Sequence, residues 1–286
     1  MKIKLFCIIY FMFINNSISF KFNKINLNKI TYSKFNLSPK KNIKFKIPDD
    51  YVNSLVFTSW IVNDYNLLYN YNINNHQIYE TTFCIMTLIW QYVGLFIISH
   101  DLHHNKNPSF YQNFLGRLCL FCYGGFRLED FSKNHNLHHK FPGLINKDPD
   151  FDNSYPIIWY SKFIYRYISI NQLVNEIIIF QLLYFTKVDL ENMLLFWFIP
   201  CIYASIQLYY YGTYLVHKEN GMIINSNLPK FAKLLTCYNF GNHKEHHKYP
   251  NLPFRRLRKI AKRSSDLNRN GNGCINISIK VWKGLL

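Results

Sequence analysis

Residues 81–99 (TTFCIMTLIWQYVGLFIIS) carry no charge and end directly on His100; residues 193–216 repeat the arrangement and end on His217. Each run is about as long as a helix must be to cross the hydrocarbon core of a bilayer. Two other stretches are poorer versions. Residues 51–68 are interrupted by Asn53, Asn63, Asp64 and Asn66, and residues 173–188 are short and hold Glu176. Residues 114–126 are shorter still and hold Arg117, which suits a segment lying in the interface or dipping into it. The expected fold is all-α: an integral membrane helical bundle of about four transmembrane helices.

Composition agrees. Hydrophobic residues make up 49% of the chain and aromatics 18%, which excludes an intrinsically disordered polypeptide. Charged residues are only 17%. A net charge of +17 would suggest nucleic acid. Here Lys rises together with Asn, Ile, Phe and Tyr, the residues of AT-rich codons, so no nucleic-acid partner is expected. The seven cysteines are scattered and odd in number, implying no disulfide framework. Cys119 and Cys122 form a C-x-x-C inside an apolar run and read as buried filler.

The first 48 residues contain no Asp or Glu. Residues 1–19 have a short basic start, an apolar run and a small-residue stretch, the layout of a secretory signal peptide. Residues 20–48 are basic, hydroxyl-bearing and acid-free, like a transit peptide. Together they resemble a bipartite leader of proteins sent to complex plastids; the other reading is a codon-biased start to an endoplasmic-reticulum membrane protein. Residues 49–263 form the membrane domain. Within it RRLRKIAKR, residues 255–263, reads either as a surface helix facing anionic headgroups or as a solvated charge run. Residues 264–286 read as a flexible tail.

Ten of the 11 histidines fall in four places. They are His100-Asp101-Leu102-His103-His104, His135-Asn136-Leu137-His138-His139, His217, and His243-Lys244-Glu245-His246-His247. At this histidine content an H-x-x-H-H pattern is expected by chance roughly 0.02 times per chain; three stretches fit it, of which the second and third are read as full boxes. On a helix, residues i, i+3 and i+4 share a face, so each H-x-x-H-H is expected to aim three imidazoles at one point. His100 and His104 add two, with His103 facing elsewhere, and His217 adds one. Nine imidazoles are too many for one ion and suit two ions of five or six coordination. All-imidazole ligation without cysteine favours a redox-active first-row metal, iron above others. No H-E-x-x-H occurs, which makes zinc hydrolysis the poorer reading. Between the second and third boxes lie two apolar runs, so an even number of crossings leaves every box on one membrane face.

These residues resemble the membrane fatty acid desaturase and hydroxylase superfamily, and within it the beta-carotene ketolases of bacteria and algae. SHDLHH is similar to their first box. NHNLHHKFPG with the following DPDF (Asp148, Pro149, Asp150, Phe151) is similar to the second. QLYYYGTYLVHK, residues 207–218, is similar to a G-T-Y-L-x-H segment that acyl desaturases lack, and FGNHKEHHKYPNLP to the third box. The resemblance covers residues 98–253. It implies a di-iron site on the membrane face held by His100, His104, His135, His138, His139, His217, His243, His246 and His247. It implies too that Asp101, Asp148, Asp150 and Glu245 orient imidazole N–H groups. Three departures are visible: His103 where an apolar residue is usual, Val216 in place of proline, and Phe254-Arg255 where aromatics follow the third box.

The chemistry implied by the resemblance is oxidative, with two Fe(2+) ions and O2 as co-substrate. Carbon 4 of a carotenoid beta-ionone ring would be hydroxylated twice, and the geminal diol would lose water to leave a ketone. The carotenoid would arrive from the membrane lipid. No haem, dinucleotide or iron–sulfur motif is present, so an external electron donor is implied, in a plastid a ferredoxin-type reductant. A carotenoid ring hydroxylase, an acyl-lipid desaturase and a non-enzymatic membrane protein remain as alternatives. Fusing residues 1–48 to a fluorescent protein is expected to give plastid fluorescence, and residues 1–19 alone secretion; retention in the endoplasmic reticulum with both would reduce residues 20–48 to codon bias.

Overall fold

The computed structural model of the protein describes residues 48–217 and 221–269. The leader up to residue 47 and residues 270–286 of the expected tail lie outside them. Among the described residues the chain is helical, and the only strand-like pairing is one antiparallel bridge between His217 and Ile223.

Helix α1, Asp49–Asn70, leads through a short turn into α2, Ile78–His103. A capping box starts α2, with the Gln77 side chain on the third backbone N–H and Glu80 reaching back to the Gln77 N–H. Its 26 residues make a rod of about 39 Å. Leu88, Tyr92, Val93, Leu95 and Ile97 of α2 are fully buried, so this helix is the axis of the bundle. Helices α3, Phe110–Gly124, and α4, Leu128–Lys140, follow. With 15 residues α3 is too short to cross a bilayer; it lies against α2. Glu129 and Asp130 open α4 and His138, His139 and Lys140 close it, the charge order that a helix dipole favours.

Residues 156–185 form two helices, α5, Pro156–Tyr167, and α6, Ile170–Phe185, bent by 88° at Ile168-Ser169. The expected crossing at 173–188 is therefore at most half of a broken span. Helix α6 has no buried residue, yet exposes Leu173, Ile177, Phe180, Leu182 and Phe185. Such a surface is costly in water and favourable against lipid.

Helix α7, Leu190–Val216, is with α2 one of two helices long and apolar enough to cross a membrane. It is wound unevenly. A π-helical turn at Leu194–Phe198 precedes Pro200; proline lacks an N–H and crowds the carbonyl four residues back, which the wider turn accommodates. A second π turn, Tyr209–Thr213, precedes the helix end at His217. Helices α8, Lys230–Cys237, α9, His243–Lys248, and α10, Phe254–Arg269, complete the fold.

The polar residues that interrupt the first apolar run are resolved by packing. In α1, Asn63 donates to Gln91 of α2 at 2.9 Å, and Tyr92 donates to Asp64 at 3.4 Å. These two interruptions thus face a neighbouring helix, where a polar group can be satisfied, whereas Asn66 is exposed and donates to the Val62 carbonyl of its own helix. The basic segment at 255–263 is likewise more than a surface charge run. Phe254, Leu257 and Ile260 are buried, and Arg255 and Arg256 both pair with Asp49 at the start of α1. The helix continues to Arg269, six residues into the segment expected to be flexible. Cys119 is buried and unpaired, and Cys122 is half-buried and unpaired.

Two loops meet backbone to backbone. A Cβ placed on Gly143 would stand 2.0 Å from Gly221 O, and both glycines have positive φ, 72° and 75°. Only glycine tolerates that conformation at that spacing. Gly143→Ala is expected to cost about 2–5 kcal/mol from strain and overpacking. Thermal denaturation in detergent should show this as a lowered midpoint, and an unchanged midpoint would mean that the crossing is not tight.

Candidate metal centre

The four histidine sites come from different elements and meet at one end of the bundle. His100 lies in the last turn of α2 and His104 caps it; His135, His138 and His139 come from α4, His217 follows α7, and His243, His246 and His247 come from α9. Their nitrogens fall into two groups. One nitrogen from each of His100, His104, His135, His139 and His246 lies within 4.8 Å of all the others. His138, His217 and His243 meet the same limit. His247 joins them, with its Nε2 2.9 Å from His138 Nε2 and 3.1 Å from His243 Nε2.

This corrects one expectation. Each H-x-x-H-H box serves two points, not one. In α4 the i and i+4 residues, His135 and His139, enter the first group while i+3, His138, enters the second. In α9 the pattern is reversed: His243 and His247 are in the second group and His246 in the first. Successive residues on a helix stand about 100° apart, so i+3 and i+4 diverge around the axis while i and i+4 stay close.

The outer nitrogens show which way the lone pairs face. His138 Nδ1–H donates to Asp148 Oδ1 at 2.9 Å, and His217 Nδ1–H to the Thr213 carbonyl at 2.6 Å. His100 Nδ1 has Asp101 Oδ1 at 3.4 Å. With the proton on Nδ1, Nε2 presents its lone pair to the interior. His100 Nε2 and His217 Nε2 are buried without a hydrogen-bond partner. Elsewhere Nε2 atoms confront one another: His104 and His135 at 2.8 Å, His139 and His246 at 3.0 Å, His135 and His139 at 3.1 Å.

Burial, reinforced by neighbouring imidazoles, pushes His135, His243 and His246 far below the ordinary imidazole range. The same causes take His104 to about 2, His139 to about 3 and His217 to about 4. Protons are therefore not what separates these nitrogens. A spacing near 3 Å is that of adjacent ligands around a first-row ion bound at about 2.1 Å. The donor set fits two metal ions. His138 alone is shifted upward: burial lowers it, but the charge of Asp150 and the hydrogen bond to Asp148 outweigh that.

The four expected acids behave differently. Asp148 accepts from His138, Gly143 N and Asp150 N. Asp150 lies 3.9 Å from His138 Nδ1 and accepts a short hydrogen bond from Tyr167. Asp101 accepts from Phe254 N at 2.7 Å, which ties α10 to the end of α2. Glu245 orients no imidazole among the described residues. It stands two positions after His243, on the opposite side of the helix, and accepts from Asn225 at 2.6 Å. His103 belongs to neither group; it meets Ser132 Oγ at 3.0 Å and Asn136 Oδ1 at 3.2 Å. His76, at the far end of α2, stacks on Tyr71 with ring centroids 4.3 Å apart. Two contributors lie inside the quoted motifs but were not singled out there. Phe240 packs its ring on His100, His243 and His246. The Thr213 carbonyl holds His217, and their i, i+4 spacing was the available signal.

A model of the fatty acid desaturase family matches residues 81–190 and 164–273. The chain belongs to the fatty acid desaturase family. Its relatives there include a beta-carotene ketolase of Paracoccus sp. (strain N81106), 35% identical over 182 residues, 59% of this chain and 74% of the relative. A second, from Paracoccus sp. (strain PC1), is 32% identical, with 63% and 78% covered. A zeaxanthin 4-ketolase of Chlamydomonas reinhardtii is 32% identical over 60% of this chain and 42% of its own length. Within the desaturase family the chain is thus similar to carotenoid ketolases. Membership and the lipid-facing helices make it a membrane protein.

Asp148→Asn is expected to weaken transition-metal binding about 10–100-fold, because Asp148 fixes His138 and the Gly143 turn together. Elemental analysis after dialysis against a chelator checks this. His103→Ala should keep the metal content of the unmodified protein; its loss would add His103 to the ligands.

Proposed function

We propose that the protein is a non-haem di-iron, O2-dependent carotenoid ketolase that oxidises carbon 4 of a beta-ionone ring by successive hydroxylation. The observation that carries this reading is the division of nine imidazoles into adjacent groups of five and four, in a chain similar to ketolases. His100, His104, His135, His139 and His246 would hold one iron, and His138, His217, His243 and His247 the other. When bound, the irons supply reductive activation of dioxygen strong enough to attack an allylic C–H bond.

The chain supplies position and dryness. Asp148, Thr213 and Asp101 keep the Nδ1 protons of His138, His217 and His100 outward, so that Nε2 is free for metal. Phe240 packs its ring on His100 and His246 and so shields them from water. Near His217, Phe151, Trp159, Tyr209 and Tyr214 pack into a buried aromatic cluster that braces the end of α7 behind the site. Each hydroxylation converts a C–H bond and O2, with two electrons and two protons, into C–OH and water. A second round on the same carbon gives the geminal diol, whose dehydration leaves the ketone. The electrons come from a separate reductant, a ferredoxin if the leader carries the protein into a plastid.

Expressing residues 49–286 in a beta-carotene-producing bacterium is expected to yield echinenone or canthaxanthin. Only 3-hydroxylated pigments would establish a ring hydroxylase instead, and unchanged beta-carotene in well-expressing cells would overturn both. Purified protein should hold about two irons per chain. His139→Ala and His246→Ala should each abolish turnover and His76→Ala should not; full activity in either box variant would overturn the shared site.

A further inference from the structure

The second and third boxes end alike. His138-His139-Lys140-Phe141-Pro142 closes α4, and His246-His247-Lys248-Tyr249-Pro250 closes α9. In each, the first histidine is fully buried and the second only half-buried. The half-buried pair, His139 and His247, comes one from each nitrogen group and stacks with ring centroids 4.4 Å apart and planes 27° apart. This is an edge at which both groups approach the surface together.

Among the described residues around that edge the charge is of one sign. Lys140 and Lys147 both hold their ammonium groups over the Phe141 ring, at 5.1 and 5.5 Å, and Lys248 holds its own 5.4 Å from Tyr249. Lys244 is exposed on α9. The acids of the same segments turn inward. Asp148 is spent on His138, Asp152 on Lys162 and Arg166, and Glu245 on Asn225. None is left to neutralise the lysines. Between Lys140 and Lys147 the loop exposes Leu144 and Ile145, 51% and 54% accessible. An apolar patch with a charged rim is the usual anatomy of a protein docking site.

We propose that this lysine rim docks a small acidic one-electron carrier protein, which delivers electrons at the His139–His247 edge. The inference rests on the oxidative reading above. That reading consumes two electrons per hydroxylation, so two reduced carriers are oxidised for each O2 that becomes one C–OH and one water. Opposed charge steers such a carrier to the right face and speeds encounter. The cation–π seats keep the ammonium groups forward at little cost in side-chain entropy.

The test uses the full chain in phosphatidylcholine nanodiscs with an acidic plant-type [2Fe–2S] ferredoxin as probe. Carbodiimide coupling of the unmodified protein, mapped by mass spectrometry, should join ferredoxin carboxylates to Lys140, Lys147, Lys244 or Lys248. Changing all four to Glu should raise the ferredoxin Kd and KM roughly tenfold or more, while turnover with reduced methyl viologen changes less than about twofold. Lys187→Glu, at the opposite end of α7, should change neither. Cross-links confined to other faces, or unaltered ferredoxin binding in the fourfold variant, would overturn the proposal. Loss of co-purifying anionic lipid with ferredoxin binding unaltered would assign the rim to headgroups and overturn it equally. Failure to form ketone with methyl viologen in the unmodified protein falls on the oxidative reading, and the cross-link map still decides the docking.

Discussion

Nine imidazoles are buried with their lone pairs turned toward one another, and that confrontation is what the rest of the molecule is arranged around. A neutral imidazole has a single N–H, so Nε2 atoms 2.8–3.1 Å apart cannot all be satisfied by donating to each other, and His243 Nδ1 and His246 Nδ1 are buried without a partner. Leaving buried polar groups unsatisfied costs free energy at every one of them. A cation between them reverses the sign of the interaction. The helices that carry the second and third boxes are correspondingly poor in other reasons to exist. Helix α9 has six residues, below what stands alone in water, and α4 buries only Phe131, His135 and His138. Their order comes from the centre they surround, so metal and fold are expected to be linked thermodynamically.

What the sequence made legible follows from where periodic signals are strong. The two uncharged runs became α2 and α7, because length and apolarity alone determine that a segment can span. The histidine boxes were legible because i, i+3 and i+4 recur on helices whatever the tertiary context. The partition of each box was not. Whether His138 turns toward His217 or toward His104 depends on the distance between α2, α4 and α9, which no local pattern encodes. For the same reason the box alone offers Glu245 as an imidazole partner, whereas in helical α9 it stands two residues from His243 and accepts from Asn225.

Helix α1 scores poorly on hydropathy for a different reason. Asn63 and Asp64 look hostile to lipid when each residue is scored separately. In the bundle they form pairs with Gln91 and Tyr92 of α2, so the cost falls on a protein interface and not on the bilayer. Helix α6 shows the converse. It is apolar enough to pass as a span, but Ser169 caps it afresh, accepting from Gln172 N, and the 88° bend breaks the path before it. A capping residue in an apolar run carries topological information that hydropathy averages away.

Charge balance connects the interior to the surface. Two divalent ions held by nine neutral imidazoles would place four positive charges in a site largely closed to water, a cost that only nearby negative charge offsets. Asp101 lies beside His100, and Asp148 and Asp150 both face His138. Drawing these carboxylates inward leaves the segments that carry them with lysines alone on the outside. On the proposed reading the electropositive rim would follow from the metal centre's own electrostatics: carboxylates turned inward to offset the ions would be taken from the surface across which electrons would come. A face depleted of acid by that demand is already suited to an acidic donor, with no separate recognition element required.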